Sequence, residues 1–160
     1  MSTDVVFAKR AQDEDWLPIL QLAIQEVFEI MLGCKTEATA QSEHSLKGGF
    51  TAVVGLAGAL CGVITVCCSS ETAGDLAKGM LGDAATSESE VVDALGEICN
   101  MIAGNFKNKL AGTDEKCMLS VPSVVSGVAY KFHSLADGSS LELTVLYEGA
   151  PVVTRLQLQK

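Results

Sequence analysis

The sequence predicts an α+β fold, in which long helices pack on a largely antiparallel β-sheet within a single domain. Three segments carry apolar residues at helical spacing, and about six short runs rich in apolar and β-branched residues are separated by turn residues. A chain of 160 residues is typical of one domain. Such a chain can bury roughly 70% of its unfolded surface. We expect the domain to span residues 1–160, with an irregular lead-in over residues 1–12.

The first helix is expected to begin near Asp13 to Asp15, because these side chains can cap a helix, and to end at Gly33. Apolar residues recur through the segment at helical spacing: Leu17, Leu20, Ile24, Val27, Phe28 and Met31. This pattern indicates packing against a core. Residues 35–47 are polar and predict a loop, in which His44 is expected to be an ordinary loop residue.

The uncharged stretch over residues 48–70 has two interpretations. The part from residue 50 to 68 is apolar and long enough to cross a bilayer as a helix. Within it, Gly58 and Gly62 form a G-x-x-x-G pair, which is typical of associating helices. However, the apolar residues form two short runs, FTAVVGL and VITVCC, rich in β-branched residues and separated by a glycine-containing turn. We therefore predict two adjacent strands.

Two further helices follow this pair of strands. A serine at 69–70 can cap a short helix that Gly82 ends. Ser87 and Glu90 then have the spacing of a capping box, which predicts the start of a long helix running to about Ala111. The rest of the chain predicts four strands, with sequences KCMLSV, VVSGVAYKF, SLELTVLY and VVTRLQLQ. No internal repeat is evident.

Composition excludes several classes of function. The net charge of −9 gives the chain no electrostatic reason to bind nucleic acid or an anionic membrane. No Walker loop or nucleophilic triad is evident, and His133 lies in a strand-like run where a structural role is expected. The N-terminal sequence shows no signal peptide, so we expect a cytoplasmic protein whose six cysteines are reduced. Their spacing does not suggest a zinc site.

The long helix carries the residues of greatest functional interest. Asp93, Glu97 and Asn100 fall within roughly a 60° sector of one face at about 100° per residue, and Gly104 lies in the middle of that sector. Leu95, Ile98, Ile102 and Phe106 point the other way. One side is therefore buried, and the other offers two carboxylates and a carboxamide, with room at the glycine for a second surface. Pro122 completes the pattern Asp-x3-Glu-x2-Asn-x21-Pro.

This pattern resembles the active-site signature of the CheC/CheX family of chemotaxis phosphatases. The surrounding NMIAGN, the EVFEIMLG of the first helix and the glycine-spaced strands are also similar, and the likeness runs from about residue 13 to the C-terminus. The chain carries the signature once, as CheX does, whereas CheC-like members typically carry two copies. The resemblance implies a CheC/CheX-like fold, homodimerisation, and removal of phosphate from the aspartyl phosphate of a CheY-type receiver domain.

The resemblance also implies a role for each signature residue. Asn100 would orient the attacking water, while Glu97 would pair with the active-site lysine of the receiver. Asp93 would align the helix with its partner, Gly104 would permit close approach, and Pro122 would shape the strand behind the helix. No cofactor is expected on this chain, because the receiver would supply Mg²⁺.

Two other functions remain open on the sequence alone. The same helix could bind a phosphorylated receiver and merely sequester it, as a non-catalytic module of two-component signalling. Alternatively, the chain could be a structural dimer in which Asp93, Glu97 and Asn100 are only a solvated helix face. Phosphate turnover distinguishes the phosphatase from the sequestering module, and receiver binding distinguishes that module from the structural dimer.

Overall fold

The structure, a computed structural model, describes residues 13–38, 48–85, 87–110 and 117–159. Within these ranges the chain forms three helices and six strands: α1 (Asp13–Leu32), β1 (Gly49–Gly58), β2 (Gly62–Cys68), α2 (Ser70–Leu81), α3 (Glu88–Lys109), β3 (Cys117–Leu119), β4 (Ser123–Gly127), β5 (Ser140–Tyr147) and β6 (Ala150–Leu158). The expected lead-in over residues 1–12, His44 and Ala111 lie outside the described residues. The three helices and six strands match the predicted α+β class.

All strand pairs are antiparallel, and the sheet runs in the order β3-β1-β2-β6-β5, with β4 also paired to β1. Alternate residues of β1 and β2, such as Val54 and Ile64, are fully buried in a core shared with the helices. Buried side chains of α1 and α3, such as Phe28 and Phe106, meet them from one side. The helices therefore cover one face of the sheet.

The uncharged stretch forms a hairpin of β1 and β2, as predicted, with Phe50 opposite Cys68 and Leu56 opposite Gly62. Each strand sends alternate residues into the core, which is the period of a strand rather than of a helix. No helix in the described parts of the chain is long and apolar enough to cross a membrane.

The edge of the sheet beside β1 is one interrupted strand. β3 pairs with the end of β1 and β4 with its beginning, and Ser120 to Pro122 lie between them. Ser120 covers the gap, because its backbone N–H donates to the carbonyl of Gly55 at 2.9 Å and its Oγ accepts from the N–H of Gly55 at 2.7 Å. The prediction that KCMLSV is a continuous strand is wrong beyond Leu119, where the chain turns toward a proline that has no N–H to donate.

The predicted strand VVSGVAYKF is also too long. β4 stops at Gly127, because its partner Gly49 is the first residue of β1 and nothing further along β1 can pair with it. Residues 128–139 form a connector from β4, at one edge of the sheet, to β5, at the other edge. Tyr130 fixes this connector to the sheet through a 2.7 Å hydrogen bond between its hydroxyl and that of Thr51. His133, predicted to lie in a strand, lies exposed on the connector.

Candidate active site

A capping box sets where α3 begins. The N–H of Glu90 donates to Ser87 Oγ at 3.2 Å, and the N–H of Ser87 donates to Glu90 Oε1 at 3.3 Å. The reciprocal pair satisfies two donors at the helix start, as the sequence predicts. Fixing the first turn also fixes which residues of the following turns face the core.

The four signature positions of α3 share its outer face. Asp93 and Glu97 are exposed, whereas Asn100 and Gly104 are partly buried. On the opposite side, four apolar side chains are completely buried: Leu95, Ile98, Ile102 and Phe106. The structure therefore places two carboxylates and a carboxamide together on a helix that its buried side holds in place.

The polar groups of this face are not engaged within the chain. Among the residues that the structure describes, none makes a hydrogen bond or ion pair with the side chains of Asp93, Glu97 or Asn100. Other carboxylates nearby are engaged: Glu88 accepts from Ser126, and Glu26 pairs with Lys109. The face thus offers unused acceptors and one amide donor to a partner, whereas the carboxylates of Glu88 and Glu26 are used in contacts within the fold.

Pro122 contacts the helix behind the site, on the side of Gly96. A Cβ on Gly96 would lie 3.6 Å from Pro122 Cβ and 3.7 Å from Val124 Cγ2. Gly96 therefore allows the start of β4 to pack directly on α3. Pro122 immediately precedes β4.

Gly104 lies where α3 meets β3. A Cβ at this position would lie 3.9 Å from Leu119 Cδ1, which is an ordinary van der Waals distance, and within the described residues no other atom outside the helix's own turns lies within 4 Å of it. A methyl group therefore fits, and the space above the glycine is open. The approach of a second surface at this position stays a prediction.

The C-terminal turns of α3 are tied to α1 by Glu26. One carboxylate oxygen, Oε2, accepts from Asn105 Nδ2 at 2.9 Å and from Lys109 Nζ at 2.8 Å. The hydrogen bond from Lys109, followed by that from Asn105, lowers the pKa of Glu26 below its usual value. Trp16 of α1 packs on Phe106 nearby, with ring centroids 5.8 Å apart. These contacts hold the helix that carries Asn100.

Sequence reasoning missed both Gly96 and Glu26. Gly96 could have been noticed as a glycine inside a helix, a costly choice that needs a packing reason. Glu26 carries no local signal, because its partner Asn105 is 79 residues away.

The helix α1 also resembles α3 in its pattern, which qualifies the expectation of no internal repeat. LAIQEVFEIMLG, residues 22–33, and DALGEICNMIAG, residues 93–104, share alanine, glutamate and glycine at equal positions and apolar residues at most others. Each helix precedes an antiparallel hairpin, β1–β2 or β5–β6, and the hairpins meet where β2 pairs with β6. Glu26 corresponds to Glu97, but Glu29 stands where α3 has Asn100.

A metal-binding cluster is not found in the described parts of the chain, where no group of three or more His, Cys, Asp or Glu side chains is arranged to hold an ion.

The candidate site is an open helix face. A cleft of about 200 Å³ lies on the other side of the sheet, between the connector and strand residues such as Thr65 and Arg155. Any partner of α3 must therefore bring its own complementary surface.

Solved structures of chemotaxis proteins have the same fold. A putative chemotaxis protein from Desulfovibrio vulgaris Hildenborough is 25% identical, with a TM-score of 0.77 over 91% of this chain and 97% of that one. The CheX–CheY–BeF3–Mg2+ complex from Borrelia burgdorferi gives 23% identity and a TM-score of 0.77, over 91% and 98% of the two chains. The chemotaxis protein CheX from Vibrio vulnificus is 20% identical, with a TM-score of 0.76 over 90% of this chain and 96% of that one.

No curated protein sequence matches the chain. The sequence model of the family described as "Chemotaxis phosphatase CheX" matches residues 50–145, which is more than half of the chain and includes all five signature residues. The chain therefore belongs to the CheX family of chemotaxis phosphatases.

Proposed function

We propose that this protein hydrolyses the aspartyl phosphate of a CheY-type receiver domain. The observation that carries the proposal is the unengaged Asp93, Glu97 and Asn100 on one face of α3, in a chain that belongs to a phosphatase family. The Borrelia burgdorferi relative was solved in complex with CheY, BeF3 and Mg2+. A receiver is therefore the partner that the family membership and the open face both favour.

Asn100 is assigned to the attacking water. A carboxamide accepts one hydrogen bond through its oxygen and donates through its nitrogen, so one side chain can hold a water in a single orientation. The water oxygen attacks phosphorus as the bond to the aspartate oxygen breaks, which yields inorganic phosphate and a free aspartate carboxylate. Phosphoryl transfer depends mainly on positioning and electrostatics, so a placed water is sufficient help for an activated acyl phosphate.

Glu97 is assigned to docking rather than to proton transfer. It lies about one helical turn before Asn100, so an ion pair with a receiver lysine would set where the carboxamide reaches. Glu26 shows how a glutamate at the equivalent position behaves when a lysine lies within reach, since it binds Lys109 at 2.8 Å. Asp93, one turn further from Asn100, would contact the edge of the partner and align the helix.

Mg²⁺ enters the proposal with the receiver. It is present in the Borrelia burgdorferi complex with CheY, and we propose that the receiver holds it here against the acyl phosphate. The ion neutralises charge on the phosphoryl oxygens when bound. This chain then contributes Asn100 and Glu97, and the active site is completed only in the complex.

We also propose a homodimer, as the resemblance implies. Exposed apolar side chains beyond β4, Val128 at 99% and Leu135 at 93%, give this part of the surface a reason to be covered. Sedimentation equilibrium over a range of concentrations tests the proposal. A mass of two chains supports the dimer, and a mass of one chain at all concentrations contradicts it.

The deciding experiment measures phosphate release from a CheY-type receiver that excess acetyl phosphate and Mg²⁺ keep phosphorylated. We expect the wild-type chain to accelerate release, and Asn100→Ala to reduce that acceleration about 100-fold or more, because the water loses its orientation. Asn108→Ala is the matched control, since Asn108 is an exposed asparagine of the same helix outside the signature.

The result also separates the competing functions. Equal release with the wild type and with Asn100→Ala, when both are folded, would remove Asn100 from the mechanism. Binding of several phosphorylated receivers without turnover would favour the sequestering module. The absence of both binding and turnover with the tested receivers would contradict the proposal. The signature residues would then be only a solvated helix face.

A further inference from the structure

Two thiols that the proposed function does not use contact the turn between β1 and β2. Cys61 is exposed in this turn, and its Sγ donates to the carbonyl oxygen of Gly58 at 3.3 Å. Cys117, the first residue of β3, is only 3% exposed, and its Sγ donates to the carbonyl oxygen of Leu60 at 3.9 Å. Both sulfur atoms therefore bind carbonyl groups at the same end of the β1–β2 hairpin.

The backbone brings the two residues close together. Gly58 lies directly opposite Cys117 in the antiparallel register, where Cα atoms are about 4.5–5.5 Å apart. Cys61 is the third residue after Gly58, and its thiol folds back onto the Gly58 carbonyl. A disulfide needs Cα atoms about 4.4–6.8 Å apart, and the contacts of the two thiols with the Gly58 and Leu60 carbonyls place both at this end of the β1–β2 hairpin. The nearness is also seen in the pKa of Cys117, which burial raises, Lys107 lowers and the charge of Cys61 raises.

We propose that Cys61 and Cys117 form a reversible disulfide with glutathione disulfide, or a similar low-molecular-weight disulfide, as the oxidant. The exposed Cys61 loses its proton to solvent and its thiolate attacks one sulfur of the oxidant, releasing one glutathione thiolate. Cys117 then loses its proton and attacks the Cys61 sulfur, releasing the second glutathione. Two protein thiols become one disulfide, and one glutathione disulfide becomes two glutathione thiols.

The other four cysteines are less suited to this chemistry. Burial raises the pKa of Cys68 and of Cys99 to about 12, so these thiols stay protonated and unreactive. Cys67 lies on the sheet between Thr51 and Val153, neither of which is a thiol. Cys34 donates to the carbonyl of Phe28, just after α1. The structure shows all six thiols free, which is the reduced form.

The bond would lock a surface turn to the strand beside the candidate site. β3 continues from Cys117 to Leu119, which is the nearest side chain to the Gly104 position. The closed loop would contain α2 and α3, so the bond would restrict the unfolded chain strongly. Oxidised protein is therefore expected to unfold several degrees higher than reduced protein.

The test uses the full chain, purified under reducing conditions and equilibrated with mixtures of reduced and oxidised glutathione. Free thiols are blocked with an alkylating reagent, and the intact mass then counts them. Cys61, Cys67 and Cys68 fall in one tryptic peptide, residues 48–78, so the pairing must be assigned with variants. Cys61→Ser and Cys117→Ser each remove one proposed partner, and Cys67→Ser is the matched control.

We expect oxidation to leave four free thiols of the six, and the Cys67→Ser protein to leave three of five, both with a raised thermal midpoint. Neither the Cys61→Ser nor the Cys117→Ser protein should form an internal disulfide. Persistence of all six thiols in largely oxidised glutathione would overturn the proposal. So would a disulfide that survives in Cys61→Ser, or a stable glutathione adduct on Cys61 that Cys117 never displaces.

Discussion

At the scale of single residues, the site is distinguished by what its polar groups do not do. Asp93, Glu97 and Asn100 make no hydrogen bond or ion pair within the described parts of the chain, although α3 packs against both α1 and α2. A free carboxamide beside free carboxylates gives the folded protein no evident stability. Their arrangement is therefore explained better by a partner than by the fold.

Glu97→Gln should weaken recognition of the phosphorylated receiver more than it slows turnover. The substitution keeps size and hydrogen bonding but removes the charge that would pair with a lysine, so we expect KM to rise about 5- to 10-fold with kcat little changed. Steady-state phosphate release against receiver concentration measures both. Glu29→Gln, on the exposed side of α1, is the matched control. A fall in kcat at unchanged KM would contradict the docking role.

Gly104→Leu should interfere with approach of the receiver while leaving the fold intact. Among the described residues outside α3, a Cβ at Gly104 meets Leu119 alone, at 3.9 Å, so the added side chain has room but extends from the proposed contact face. We expect a loss of receiver affinity of about tenfold or more, because a close contact would be held apart. Calorimetric titration with phosphorylated receiver measures the affinity. Gly104→Ala, which adds only a methyl group, is the smaller substitution for comparison. Undiminished affinity in Gly104→Leu would place the interface elsewhere.

At the scale of elements, α3 and the interrupted edge strand form one packed unit. The capping box at Ser87 fixes the start of the helix, and Gly96 lets the start of β4 lie against its middle. Buried side chains hold α3 on the sheet, so its exposed face is kept in one orientation. A rigid element is the suitable carrier for a group that must place a water molecule.

Gly96→Leu should destabilise the protein by about 1–3 kcal/mol, because a large side chain must displace Pro122 and Val124. Gly96→Ala should cost little, since its methyl group would lie at ordinary contact distances of 3.6 and 3.7 Å. Alanine could even add up to about 1 kcal/mol through its higher helix propensity. Urea unfolding of the two variants measures the difference. Equal stability of the two variants would mean that Pro122 and Val124 do not limit the size of the side chain at position 96.

The elements also show what a sequence alone can predict. The capping box and the end of α1 at Gly33, where φ is 63°, were predictable because each depends on neighbouring residues. The end of β4 at Gly127 was not, because it is set by where β1 begins. Likewise the face of α3 follows from periodicity, but the contact of Gly96 with Pro122 depends on tertiary packing.

At the scale of the whole molecule, one glutamate joins the first helix to the helix of the site. The pKa of Glu26 is lowered in the folded protein, chiefly by the hydrogen bond from Lys109 and then by that from Asn105. Its contribution to stability is therefore fully present above its unfolded value of 4.5 and is lost as pH falls through the lower folded value.

Glu26→Gln should accordingly change the pH dependence of unfolding. We expect the variant to be less stable than the wild type at pH 7. The difference should shrink as the pH falls below about 4.5, where the unfolded carboxylate binds its proton first, until the folded carboxylate is protonated as well. Chemical unfolding at pH 7 and at pH 3 measures the gap. Glu29→Gln serves as the control, since Glu29 makes no ion pair in the described parts of the chain. A gap that stays constant between the two pH values would contradict the linkage.

The contact between Gly96 and Pro122 has a consequence for finding such proteins. From Asn100 the chain must finish its helix, reverse direction and run along the sheet edge before it comes alongside the middle of α3. The number of residues between Asn100 and Pro122 therefore reflects the length of this return path and not the chemistry of the site. Relatives with a longer or shorter reversal after α3 could keep the same packing, yet a search for fixed spacing would pass them over.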